Sequence, residues 1–203
     1  MKKLLLLALA AATLSACGDQ VKEAPAGKVE LQEESKESKP EELTKVGQKS
    51  NDPEFGSLEL KKIAQPEKTL DIAPELKATI HNVKLFQSDK GEADPVWDMV
   101  GGNPKDGYFL QIVYSIENLS DQEIIGPHFD RVILDNGEQI DDHVLLNQTT
   151  ELAPKAKASD QVMLVGVPTE EFSGFSLEMT TAMTMDENAM DPMIQTQAID
   201  FQF

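Results

Sequence analysis

Gly107-Tyr108-Phe109-Leu110-Gln111-Ile112-Val113-Tyr114-Ser115-Ile116-Glu117-Asn118 is the stretch that decides the fold. Tyr108, Leu110, Ile112, Tyr114 and Ile116 recur at every second position, with Gln111, Ser115 and Glu117 between them. Side chains alternate across a strand, so this pattern predicts a β-strand with one face in a core. Leu76 to Phe86 alternates in the same way, and its phase slips near Asn82, as a β-bulge would make it do. Leu58, Leu60 and Ile63 suggest an edge strand. Phe129–Leu134 and Gln139–Leu146 flank Asp135-Asn136-Gly137-Glu138, and the Asn-Gly pair predicts a hairpin with a type I′ turn. Gln161 to Val167 is apolar on both faces, as a central strand is, and Pro168 ends it. Phe175–Met179 and Met193–Phe203 bring the count to seven or eight strands over residues 54–203. No long segment keeps a helical period. The expected architecture is all-β, one antiparallel immunoglobulin-like β-sandwich.

The chain before this domain reads differently. Met1-Lys2-Lys3 precedes an apolar run from Leu4 to Ala12, followed by Leu14-Ser15-Ala16-Cys17. A positive start, a short apolar core and small residues before a cut site predict a secretory signal peptide over residues 1–16. The run is shorter than the roughly 20 apolar residues a membrane-spanning helix needs. Leu14-Ser15-Ala16-Cys17 resembles the lipobox of bacterial lipoproteins, which implies cleavage before Cys17, a diacylglyceryl group on its sulfur and attachment to the extracytoplasmic face of the cell membrane. Cys17 is the only cysteine, so a disulfide framework, a thiolate nucleophile and a cysteine metal site are all excluded. Residues 17–53 are rich in Glu, Lys, Ser, Gln and Pro, and read as a lipidated, disordered linker with a reach of about 35 Å.

The whole chain carries a net charge of −18, and residues 67–203 hold 8 basic against 25 acidic groups. That excess argues against nucleic acid and against direct adhesion to anionic lipid. It is compatible with a basic partner or a divalent cation.

Gly107 to Asn118, continued by Leu119-Ser120, resembles a recurrent strand of the small telokin-like (DUF4352) immunoglobulin-like domains: an apolar run ending in Asn, then a Ser-containing turn. The hairpin at Asp135-Asn136-Gly137 and the pair Leu152-Ala153-Pro154 and Val162–Pro168 fit the same pattern. Two positions depart from it. Lys155 stands where the family usually has Gly, and Val165-Gly166 where it usually has Phe. The resemblance implies a Gram-positive surface lipoprotein and supplies no catalytic residues.

Candidate sites follow from residue type. The connection from Gln87 to Asp106 is long and holds the only tryptophan. Val96, Trp97 and Met99 are candidate partner-binding residues, with Gly101-Gly102 as a hinge. The competing reading folds Trp97 back as a plug for an open end of the sandwich. Met183, Met185, Met190 and Met193 are candidate Cu(I) ligands as a thioether cluster, while the competing reading packs Met179 in the core and leaves the others as flexible filling of a loop. Asp89, Glu92 and Asp94 are candidate Ca²⁺ ligands, although solvated loop charge explains them as simply. Asp135-Asn136-Gly137-Glu138 lacks the spacing of a calcium loop. His81, His128 and His143 fall on separate elements, and of the trio Asp141-Asp142-His143 only Asp141 and His143 can share a strand face. No nucleophile elbow, zinc-protease helix or phosphate-binding loop is present. The expectation is a non-catalytic interaction or sensing domain without cofactor, tied to the membrane through Cys17 and open to a protein partner. A metal-binding lipoprotein ranks second and an enzyme third.

Overall fold

The computed structural model describes residues 42–102, 104–125, 128–146, 151–180, 183–184 and 196–203. In chain order the strands are β1 (Lys49–Asp52), β2 (Gly56–Ala64), β3 (Lys68–Ala73), β4 (Leu76–Ser88), β5 (Tyr108–Asn118), β6 (Ile124–Ile125), β7 (His128–Leu134), β8 (Gln139–Ile140), β9 (Val144–Leu146), β10 (Glu151–Leu152), β11 (Lys157–Gly166), β12 (Gly174–Thr180), β13 (Met183–Thr184) and β14 (Thr196–Gln202). A large sheet runs β1-β2-β4-β5-β11-β9, with β3 beside the first half of β4. A second sheet runs β14-β12-β7-β8, and a small one runs β10-β6-β13. Every pairing between named strands is antiparallel. The chain is an all-β sandwich.

Alternation puts Leu110, Ile112, Tyr114 and Ile116 of β5 in the core between the sheets, against Phe129, Val132, Leu177 and Met179 of the second sheet. Tyr114 packs edge-on to Phe129 at 4.8 Å. The slip expected near Asn82 is a bulge. Ile80 pairs with Tyr114 and Asn82 with Val113, leaving His81 as the extra residue. That insertion lets Ile80 and Val83 both face the core. At one side of the sandwich Lys62 of β2 donates to the carbonyls of Glu170 and Phe172 and lies over the Phe172 ring at 4.7 Å. Burial there pulls its ammonium below the ordinary lysine value.

Four expectations change. Residues 42–53 belong to the fold rather than to the linker: Leu43 is buried, and β1 pairs with β2 from Lys49↔Glu59 to Asp52↔Gly56. Backbone pairing needs no apolar side chains, so the polar composition of that segment concealed it. The stretch 139–146 is not one strand. It pairs with β7 for two residues as β8, turns at the exposed pair Asp141-Asp142, and joins the large sheet as β9. The hairpin loop is three residues long, not two. Gly137 N–H donates to Leu134 O (2.9 Å) and Leu134 N–H to Glu138 O (2.8 Å), and only Gly137 (φ 90°) has positive φ, so a type I turn is followed by a left-handed glycine. The strands number more than eight because several are two-residue pairings.

Asn118, wholly buried at the end of β5, ties the large sheet to β10 of the small one. Its amide donates to the carbonyls of Gln122 (2.7 Å), Leu152 (3.0 Å) and Ala153 (3.1 Å). Its carbonyl accepts from the Ser120 N–H (2.8 Å) and hydroxyl (2.7 Å). Beside it Lys155, at the position where the resembled domains usually carry Gly, has φ 59°, the left-handed region that glycine enters most readily. Asn118→Ala strands several buried carbonyl and N–H groups at once. It should lower unfolding free energy by about 3 kcal/mol, read from urea midpoints of the full chain, and a change under about 0.5 kcal/mol would contradict this role.

Candidate functional site

The large sheet has a second, outward face, and the chain covers one half of it. Leu60, Phe86, Phe109 and Leu164 form an apolar patch there, and Leu43, Val96, Trp97 and Val100 close over it. Trp97 is 7% exposed, its Nε1–H donates to Gly91 O (2.8 Å), and its ring lies 6.1 Å from that of Phe109. Asp94 fixes the 3-10 turn Pro95–Met99 by accepting from the Val96 N–H (3.1 Å). That backbone hydrogen bond, then Lys90 beside it, holds the Asp94 carboxyl below its ordinary value.

Trp97 thus folds inward, onto the face of the large sheet rather than into an open end of the sandwich. Val96 and Trp97 are buried and form no exposed tip, while Met99 is 43% exposed. Gly101-Gly102 is an anchor rather than a hinge. Gly166 N–H donates to Gly101 O (2.7 Å), and a Cβ on Gly102 (φ 79°) would stand 2.5 Å from Gly166 O. Only glycine lets the loop end lie this close to β11.

The proposed ion ligands do not converge. Asp89 accepts from the Ser57 N–H (2.9 Å), Asp94 caps its turn and pairs with Lys90 (3.3 Å), and Glu92 is exposed. Asp141 is engaged by the Gln139 amide (2.9 Å), while His143 packs edge-on to Phe129 at 6.3 Å. Among the described residues no group of three or more His, Cys, Asp or Glu is placed to hold a metal ion. Met179 is core, and Met183 lies in β13 with its side chain outside the described structure. Met185, Met190, Met193 and Cys17 lie outside the described residues, as does the side chain of His128.

The other half of the outward face is polar, and it holds a cluster that no motif announced. His81 Nε2 lies 2.9 Å from Ser115 Oγ and His81 Nδ1 lies 2.9 Å from Glu67 Oε2. Thr69 and Thr79 hydroxyls meet beside it at 3.0 Å. The three residues come from β4, β5 and the turn before β3, and the only sequence signal among them was the bulge at residues 81–82.

Two measurements check these environments. As the sole tryptophan, Trp97 should emit at short wavelength and resist acrylamide; red-shifted, quenchable emission would place it in solvent. Met99→Ser should change stability by no more than about 0.5 kcal/mol. The second measurement concerns His143. Burial holds it below the ordinary value of 6.5, against the opposing pull of Asp142 and Asp130. The unfolded chain therefore binds its proton first as pH falls, so the folded state loses stability between that value and the lower folded one. His143→Gln should flatten urea midpoints across that window relative to the parent chain, and an unaltered pH profile would contradict the assignment.

No family model, curated protein or solved structure matches the chain.

Proposed function

We propose that the protein is a bacterial lipoprotein, cut before Cys17 and anchored by lipid to the extracytoplasmic face of the cell membrane, whose β-sandwich serves as an interaction or sensing domain. The observation that carries this reading is the N-terminal order of Lys2-Lys3, an apolar run too short to span a bilayer, and Leu14-Ser15-Ala16-Cys17. Two acyl chains on one cysteine anchor a protein stably, at about 0.8 kcal/mol per buried CH₂. Among the described residues no helix is long and apolar enough to cross a membrane. Leu43 and β1 belong to the fold, so residues 42–53 are not part of a tether from Cys17.

The telokin-like reading of the domain is supported by three features. The Asn-x-Ser turn is a closed hydrogen-bond network. Leu152-Ala153 supplies two of its acceptors. Lys155 takes the backbone conformation that a glycine at that position would supply. A partner would meet the domain at surfaces such as the turn bearing Met99, since Val96 and Trp97 serve the fold. In cells, Cys17→Ser should move the protein from the membrane fraction to the soluble fraction and abolish labelling by an alkyne-tagged palmitate. Continued membrane retention with no labelling of the parent chain would refute lipid anchoring.

A further inference from the structure

Ser115 stands near the middle of the large sheet's outward polar half, and both neighbouring strands are irregular beside it. On one side β4 carries the extra residue His81. On the other the register of β11 jumps from Ala158↔Ile116 to Gln161↔Tyr114, with Asp160 at φ 56°. Bulges re-aim side chains, and here two of them flank one serine. The bulge in β4 brings the His81 imidazole over the Ser115 hydroxyl. The turn before β3, where Glu67 has φ 44°, brings a carboxylate to the other ring nitrogen.

The proton positions follow once His81 is taken as a neutral imidazole. An ionised carboxylate only accepts, so Nδ1 of a neutral His81 carries the hydrogen that Glu67 Oε2 receives at 2.9 Å. Nε2 is then a bare lone pair, and the Ser115 O–H is the donor that meets it at 2.9 Å. A hydroxyl donating to a base that is itself oriented by a carboxylate is the arrangement of an activated serine nucleophile. Ser115 is 3% exposed beneath the His81 imidazole, 34% of whose side chain is exposed, so an acyl group must approach beside the ring while Nε2 stays within reach of Oγ.

We propose that Ser115, His81 and Glu67 form a serine-nucleophile site for acyl transfer from esters. Ser115 Oγ bonds to the ester carbonyl carbon as its proton passes to His81 Nε2, with Glu67 holding the Nδ1–H. The tetrahedral adduct collapses with cleavage of the ester C–O bond, and the alcohol leaves with the proton from Nε2. Water, deprotonated by the same nitrogen, then attacks the acyl carbon, releasing the carboxylic acid and restoring the Ser115 hydroxyl. Ser115 and His81 are the catalytic residues, and Glu67 is a positioning residue. This site goes beyond the interaction role and does not depend on it.

The test is to treat the full chain, purified in mild detergent, with a fluorophosphonate probe and to locate the adduct by peptide mass. A single adduct on Ser115 is expected, absent from Ser115→Ala. In His81→Gln it should form at least about a hundredfold more slowly, and 4-nitrophenyl acetate hydrolysis should fall in parallel. Glu67→Gln keeps the hydrogen bond and loses the charge, so it should change the pH dependence of labelling and not only its rate. Trp97 emission reports whether each variant is folded. No adduct on the parent chain, an adduct on another residue, or equal labelling of a folded His81→Gln variant would overturn the proposal.

Discussion

The carboxamide of Asn118 is the constraint on which the joining of the sheets depends. Two amide hydrogens are shared among three carbonyls from two chain segments, and the carbonyl oxygen takes a backbone and a hydroxyl donor from Ser120. The main chain reinforces it, since Asn118 N–H donates to Ala156 O at 2.9 Å and Lys155 N–H to Ser120 O at 3.2 Å. Asp in its place would have no hydrogens to give the carbonyls, and Leu would leave them all unpaired in a dry site. A buried polar network that is fully satisfied specifies one arrangement of the chain, because any shift in register orphans several groups together. The end of β5, the turn at residues 119–122 and the approach to β11 are fixed by that requirement.

With one face of the large sheet committed to the core, the other divides by chemistry. The half bearing Leu60, Phe86, Phe109 and Leu164 cannot remain in water without exposing a contiguous apolar patch, and the Trp97 loop with Leu43 removes it from solvent. Lys84 shows where the cover ends. Its stem is buried among these neighbours while its ammonium reaches Glu42 at 3.0 Å. The half around Thr79, Ser115 and Glu117 needs no cover. It is there that Ser115, His81 and Glu67 are hydrogen-bonded to one another.

How much of this the sequence disclosed depends on whether the signal was periodic. The alternation of β5 gave both its faces, and the phase slip in β4 placed the bulge within a residue, because both are properties of one strand read alone. The inward turn of Trp97 was one of two readings the sequence left open, and its place was not legible: the loop residues Val96, Trp97 and Val100 have no period that says which surface they cover. The turn at Asp135-Asn136-Gly137 was located correctly and typed wrongly, since an Asn-Gly pair serves a two-residue or a three-residue loop and the flanking register decides between them. β1, Lys-Ser-Asn-Asp, was illegible because its contribution is backbone hydrogen bonding alone.

The Ser115–His81–Glu67 cluster was illegible for a deeper reason. Motifs are short because a single turn or helix holds their residues together. Here the separations are 14 and 34 residues, and the juxtaposition is made by strand register. A regular β4 would have to choose a phase. Keeping Leu76, Ala78 and Ile80 inward would send Val83 and Leu85 out to water, and keeping Val83 and Leu85 inward would turn His81 into the core. The extra residue removes that choice. Both apolar runs stay buried at about 1.5–3 kcal/mol per side chain, far more than one broken ladder position costs. The position of His81 over Ser115 is therefore secured by the hydrophobic packing of its neighbours, and the pair can hold its geometry without contributing to stability itself.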